Sequence, residues 1–170
     1  MSKHGIHVYP LKVEAITQFP PPCTITQLQS HQGKANFLRR FIANHAQITK
    51  GFMKLLKKDT PFVWDEQAQN SFKELKSTLT NTSLLSPPNY NKDFLLYLVS
   101  FNTTIVMVLV QTDEQHNKHV IYYLSKGIVG VEFRYAHVEK LALIAVIVVQ
   151  GLWNYILLQS TTIMYNTNPM

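Results

Sequence analysis

Beyond Tyr90 the chain carries five carboxylates, Asp93, Asp113, Glu114, Glu132 and Glu139. Hydrolysis with hard divalent ions needs several such groups meeting at one point, because magnesium takes oxygen ligands in a near-octahedral shell. The spacing works against that here. The first four acids sit in turn-like or loop-like stretches, and only Glu139 falls in a segment that reads as a regular element. His116 and His119, in QHNKHV, could be a metal pair with His137 and Glu139 as distant partners. A turn between strands is polar by default, however, and no third ligand stands at a fixed spacing, so a solvated turn is the favoured reading. Cys23, the single cysteine, follows three prolines with no basic neighbour to activate it. It reads as an inert thiol, and one cysteine excludes both an internal disulfide and a cysteine-rich zinc site.

A second kind of chemistry is electrostatic. Residues 1–58 hold nine Lys and Arg against one acid, Glu14, a net +8 within a chain whose total is +6, so the remainder is net −2. Clustered cations gain affinity for nucleic acid by releasing its condensed counterions. Lys34, Arg39 and Arg40 lie on or near one predicted helix and are the candidates for phosphate contact, of the kind that positions a duplex without reading its sequence. The competing reading is an ordinary solvated basic face. Phe37 and Phe41, beside these cations, are expected in the core.

The elements that must carry these groups follow from periodicity. With 46% apolar and 15% charged residues over 170 positions, the chain has the composition of a folded domain or two small ones. Leu11–Thr17 suits a short helix, stopped before Pro20, Pro21 and Pro22. From Thr26, a plausible N-cap, Leu28, Ala35, Leu38, Phe41 and Ile42 recur at helical spacing, and a further helix is expected over Ala46–Lys57. Asp65 can cap another helix, whose Ala68, Phe72, Leu75 and Leu79 form a stripe expected to dock on a sheet. Three strand-like runs follow, Phe94–Ser100, Thr104–Gln111 and His119–Ser125; Tyr135–Leu158 favours a helix and Thr161–Tyr165 a last strand. Strands, then helix, then strand make an α/β layered sheet. Its final strand would lie exposed, so the C-terminus reads as cut short. Leu141–Leu158 approaches the lower length limit for a membrane span, but Tyr135–Glu139 continue the same helix and a buried helix is favoured. The N-terminus lacks the apolar core of a signal peptide, and an intracellular setting is expected.

Several blocks, in order, also carry a resemblance. KHGIHVYPLKVEAI, PPPCTITQLQSHQGKANFLRRFI and ITKGFMKLLKKDTPFVW resemble the palm end and thumb of gypsy-type LTR-retrotransposon reverse transcriptases. DEQAQNSFKELKSTLTNTSLLSPPNYNKDFLLYL and HVIYYLSKGIVGVEFRYAHVEKLALIAV resemble the RNase H domain that follows in those Pol polyproteins, with wording closest to plant elements. The resemblance implies a small helical thumb-like unit over residues 1–58. Residues 59–170 would then form a truncated RNase H-like mixed sheet with a long crossover helix, while the polymerase aspartates, protease and integrase fall outside.

Enzymes of that family cut the RNA strand of RNA/DNA hybrids with two magnesium ions held by carboxylates. Carried over residue by residue, the first-strand Asp falls on Val99, the helix Glu on Leu141 and the fourth-strand Asp on Asn166. None is an acid, so the resemblance implies a pseudoenzyme with no metal and no cofactor. The partner it implies is an RNA/DNA or DNA duplex held by the basic thumb-like region. The alternatives are a purely charge-driven binding module and a membrane-associated peptide. Other departures are a second-strand Gly that falls on Val106, exposed basic residues that fall on Gly151 and Trp153, and His31 where an apolar residue usually precedes Gln-Gly. Burying that ring unpaired would cost about 1–3 kcal/mol.

Overall fold

A computed structural model of the chain describes residues 10–81, 85–101, 103–128, 130–135 and 137–165. Helices come first: α1 (Pro10–Thr17), α2 (Ile25–Asn36), α3 (His45–Ile48), α4 (Lys50–Met53) and α5 (Glu66–Thr80), with 3-10 turns at Arg39–Phe41 and Lys54–Leu56. Strands β1 (Phe94–Ser100), β2 (Thr104–Thr112) and β3 (Lys118–Gly127) follow, then a 3-10 turn at Gly130–Arg134, α6 (His137–Ile156) and β4 (Thr161–Tyr165). The sheet order is β3-β2-β1-β4, antiparallel throughout except for the parallel pair β1 and β4. A strand that returns parallel to β1 needs a crossover, and α6 supplies it. The α/β mixed sheet with a crossover helix is therefore the observed architecture.

Local chemistry sets the element ends, and it corrects two expectations. The N-cap of α2 is Thr24, not Thr26: Thr24 is extended, and its Oγ1 accepts from the Gln27 amide at 3.2 Å. Gln27 Oε1 reaches back to the Cys23 amide at 2.7 Å, a capping-box arrangement shifted by one residue. The single helix expected over Ala46–Lys57 is instead three short pieces. At the break, Thr49 turns its hydroxyl back onto the His45 carbonyl at 2.8 Å, the side-chain competition that bends helices. Asp65 caps α5 as expected, its Oδ1 accepting from the Ala68 amide at 2.8 Å.

Two apolar clusters hold the chain. The stripe Ala68, Phe72, Leu75 and Leu79 is buried as its spacing predicts, but it does not dock on the sheet as expected. It packs with Ile16, Leu28, Leu38 and Phe52 of the preceding helical stretch, and among the described residues Val120 and Tyr123 of β3 pack against this cluster. The reason is area: helices as short as α1 to α4 cannot close a core by themselves, and α5 completes it. The second cluster lies on the other face of the sheet. There Phe94, Leu96 and Leu98 of β1 and Ile105, Met107 and Leu109 of β2, at the period of two that a pleated strand requires, meet Ile144, Ile147, Val148 and Leu152 of α6. Between β2 and β3 the register skips Ile121, since Leu109 opposes Tyr122 and Val110 opposes Val120, and this bulge lets β3 contribute to both clusters.

Two glycines mark close approaches. A Cβ at Gly151 of α6 would lie 2.6 Å from a methyl of Leu124 on β3, so this position is a helix–sheet contact and not simply part of the outer face. A Cβ at Gly51 of α4 would run into Ser71 Oγ and lie 2.6 Å from the Gln67 carbonyl oxygen of α5. Backbone cannot yield as a side-chain tip can. Gly51→Ala is therefore expected to destabilise the chain by about 1–3 kcal/mol through overpacking, read as a lower urea midpoint at unchanged slope. An unchanged midpoint contradicts this account of the α4–α5 contact.

Candidate nucleic-acid interface

The basic candidates do not share one environment. Lys34 is exposed on α2, its ammonium 5.1 Å from the centre of the Phe19 ring, and Arg39 is exposed on the 3-10 turn that follows. Arg40 is half-buried and turned inward. Its guanidinium lies 5.3 Å from the Phe41 ring centre and 5.7 Å from that of Tyr122 on β3, and its Nε is buried without a hydrogen-bond partner. Arg40 thus spans the seam between the helical unit and the sheet. Phe41 is buried as expected, but Phe37 is not in the core: it is 53% exposed, because α2 ends at Asn36 and the chain turns there. The Lys12 ammonium sits 3.8 Å from the centre of the Phe37 ring. Lys12 therefore covers an exposed aromatic ring while Lys34 covers Phe19, an arrangement the helical periodicity of α2, continued past its true end, concealed.

The seam itself is polar. The Ala46 amide of α3 donates to Ser125 Oγ of β3 at 3.0 Å, and Thr103 Oγ1 donates to Gln47 Oε1 at 2.9 Å. Beside it a shallow cleft of about 350 Å³ opens between Phe41–Ala43, the end of α5 and Tyr123.

On the sheet, Val99 stands near the end of β1, out of phase with the core residues Leu96 and Leu98, and is 38% exposed. Its cross-strand partner is Val106, which in turn opposes Ser125 on β3. Val99 and Val106 thus form one aliphatic pair. Leu98 and Tyr165, the residues just before Val99 and Asn166, are partners across the parallel β1–β4 pair. Asn166 itself lies outside the described residues, as do the side chains of His137 and Leu141, although the backbone of both belongs to α6. Two valines offer no oxygen to a hard divalent cation, so the residues present on β1 and β2 do not fit a magnesium ion. Among the described residues no group of three His, Cys, Asp or Glu side chains is placed to hold a metal.

The acids serve the scaffold instead. Asp113 accepts from the Gln115 and Asn117 amides at 2.9 and 2.8 Å, from the Asn117 side chain at 3.0 Å, and contacts His119 Nε2 at 2.9 Å. The His119 contact, and then the Asn117 and Gln115 donors, hold its carboxyl well below the usual carboxylate range. This turn places His116 in the left-handed region at φ 64°, while His119 is committed to Asp113. Asp65 is likewise held low, first by the Lys54 ammonium at 2.7 Å and then by the Ala68 amide it caps. Glu132 pairs with Lys126 at 3.2 Å, and Asp93 accepts from Gln159 at 3.2 Å. Gln111, which sequence reasoning passed over, is buried and fully used. It accepts from the Asn89 amide and donates to the Asn89 and Lys92 carbonyls, fixing the loop that leads into β1. No helix among the described residues is long and apolar enough to cross a membrane.

Comparison with known proteins agrees with this architecture. The chain is 33% identical over 147 residues to the retrovirus-related Pol polyprotein from transposon opus of Drosophila melanogaster, covering 80% of the chain and 15% of that protein. It is 28% identical over 167 residues to the corresponding polyprotein from transposon 297, also of Drosophila melanogaster, covering 98% of the chain and again 15% of the relative. The chain thus spans about one seventh of the length of these relatives. An uncharacterized mitochondrial protein of Arabidopsis thaliana is 31% identical over 102 residues, 60% of the chain and 64% of that protein. Among solved structures, the foamy viral protease–reverse transcriptase in complex with dsDNA superposes with a TM-score of 0.81 at 19% identity, over 96% of this chain and 34% of the other. The same enzyme in complex with an RNA/DNA hybrid gives 0.73 at 18% identity, over 96% of this chain and 27% of the other. The family described as the RNase H-like domain found in reverse transcriptase matches residues 64–163, from Trp64 before the α5 cap to Ile163 in β4, and the chain belongs to that family.

Proposed function

We propose that the chain is a gypsy-type Pol segment, plant-like in lineage, that retains the scaffold of a reverse transcriptase RNase H-like region and holds nucleic acid without cutting it. In this reading residues 1–58 are the palm end and thumb-like helical region and residues 59–170 the RNase H-like domain. The single observation that carries the loss of cutting is the Val99–Val106 pair. Where a metal-dependent nuclease needs a charged oxygen on the first strand, with space beside it, two branched hydrocarbon side chains face each other. Removing one charged ligand of a two-metal site costs several kcal/mol of transition-state stabilisation, and the family's helix and fourth-strand acids fall on Leu141 and Asn166 as well. The family's magnesium has no role in this chain.

Binding rests on charge and shape. The positive excess lies in the first third of the chain, and Lys34 and Arg39 present it to solvent on the helical unit, with Lys12 beside the exposed Phe37 ring. The foamy viral enzyme that this fold resembles has been solved with dsDNA and with an RNA/DNA hybrid, which supports a duplex as the partner. Arg40 contributes mainly by holding the helical unit on β3, since its guanidinium is already covered by two rings.

A labelled RNA/DNA hybrid incubated with the chain and magnesium or manganese is expected to stay intact; cleavage above background, lost on denaturing the protein, sinks the non-cutting reading. The companion variant, Val99→Asp with Leu141→Glu and Asn166→Asp, asks whether restoring the carboxylates is sufficient for cutting. In gel shifts on the same hybrid, Lys34→Ala with Arg39→Ala is expected to lower the slope of log affinity against log salt by about two, one for each lost phosphate contact. Arg40→Ala should leave that slope within error and instead lower thermal stability, because stacking and buried stem are lost. No retardation of the unaltered chain at low salt eliminates the binding reading.

A further inference from the structure

His31 is the buried group that neither the fold nor the proposed binding uses. It is fully buried in the middle of α2, and neither ring nitrogen has a hydrogen-bond partner. Three aromatic rings enclose it: Phe72 of α5 at 4.8 Å between ring centres, Phe19 of the segment after α1 at 5.3 Å, and Phe52 of α4 at 6.3 Å. A neutral imidazole here leaves one donor and one acceptor unmet. A protonated one adds a second unmet donor and a full charge, the costliest state to keep out of water.

The surrounding charges push the same way. From α5, Lys76 donates to the Phe19 carbonyl oxygen at 2.5 Å and lies 4.6 Å from the Phe72 ring centre; from α2 itself, Lys34 stands over Phe19. Both are cations acting on the ring. The other charged groups on the packed elements are turned to different partners or to solvent. Glu14 of α1 accepts from the Gln18 amide, Lys12 covers Phe37, Lys54 after α4 pairs with Asp65, and Lys50, Glu66, Lys73 and Glu74 are exposed.

We propose that His31 is an acid-sensitive latch, whose protonation releases α2 from α4 and α5 and opens the helical unit while the sheet and α6 remain folded. The two apolar clusters are separate, so one can open without the other. Burial, with Lys76 and Lys34 adding to it, holds the closed ring down at about 4 from its ordinary 6.5. The open form therefore binds more protons between these values. The closed form has its full stability above about pH 6.5 and loses it as the pH falls toward 4. His45, buried at the head of α3 and lowered by burial and by Arg39, titrates in the same window, and its share survives when His31 is replaced.

Trp64 reports on this core, since it stacks 6.3 Å from Phe52 and meets Phe72 edge-on at 5.6 Å. In a Trp153→Phe background, which removes only an exposed ring on α6, Trp64 fluorescence and amide exchange are followed from pH 7.5 to 4. The expected result is a transition between pH 6.5 and 4 in Trp64 and in the α2 and α5 amides, with β1 and β2 amides still protected. From the linkage, His31→Leu should favour closing at pH 4.5 by roughly two orders of magnitude over the unaltered chain, moving the transition to lower pH. The same pH response with and without His31, or α2 and β1 amides losing protection together, overturns the proposal. NMR titration of His31 in the unaltered chain keeps the test open if the variant fails to fold. A ring that titrates near 6.5 while α2 stays protected overturns the latch, and one that titrates only as α2 opens supports it.

Discussion

The packing of α5 against the four short helices before it is the constraint on which the rest of the chain depends. Those helices are too short to enclose a core among themselves, and Phe72, Leu75 and Leu79 supply the apolar surface they lack. The consequence is a mismatch between sequence modules and packing units. The family match begins at Trp64, so α5 belongs by descent to the RNase H-like region, yet its buried stripe faces the helical unit. Its cap, Asp65, is also the anion that anchors Lys54, a residue that precedes the family match. The start of the family match at Trp64 therefore falls within one packed core and does not mark off a core of its own.

The sheet is held by apolar alternation and backbone pairing, without help from buried charge among the described residues. Strand pairing, the crossover of α6 and the bulge at Ile121 require only apolar alternation and backbone geometry, and the chain has all three. On that frame Val99 and Val106 face each other across the β1–β2 pair as hydrocarbon side chains. Of the acids, Asp113 is bound into a hairpin turn, Asp65 into a helix cap and Glu132 into an ion pair with Lys126. Valine suits the half-exposed strand position 99, because β-branched side chains fit a pleated surface.

On the helical unit the same division holds between charge that faces water and charge that is spent on packing. Lys34 and Arg39 are free of the core, whereas Arg40 is sandwiched between two rings and links α2's end to β3. His31 is the opposite case, a polar ring buried among the rings of Phe19, Phe52 and Phe72 with two cations acting on it. The cluster tolerates it at neutral pH because an uncharged imidazole packs much as an aromatic ring does.

Element types were legible in the amino-acid order because periodicity is a local property. The α5 stripe and its Asp65 cap, the three antiparallel strands, the long α6 and the final strand all follow from spacing and from turn residues. The positive first third was equally legible, since it needs only residue identity. What the order of residues left open was decided by contacts far apart in sequence. Which surface the α5 stripe would cover depended on the area the earlier helices leave bare. That Val99 would face Val106 depended on register, that Arg40 would turn inward depended on β3 lying against its turn, and that Phe37 would turn outward depended on α2 ending one residue before it. Local chemistry fixes where elements start and what they are made of; only the folded chain decides which faces meet, because burial is a property of partners and not of a single segment.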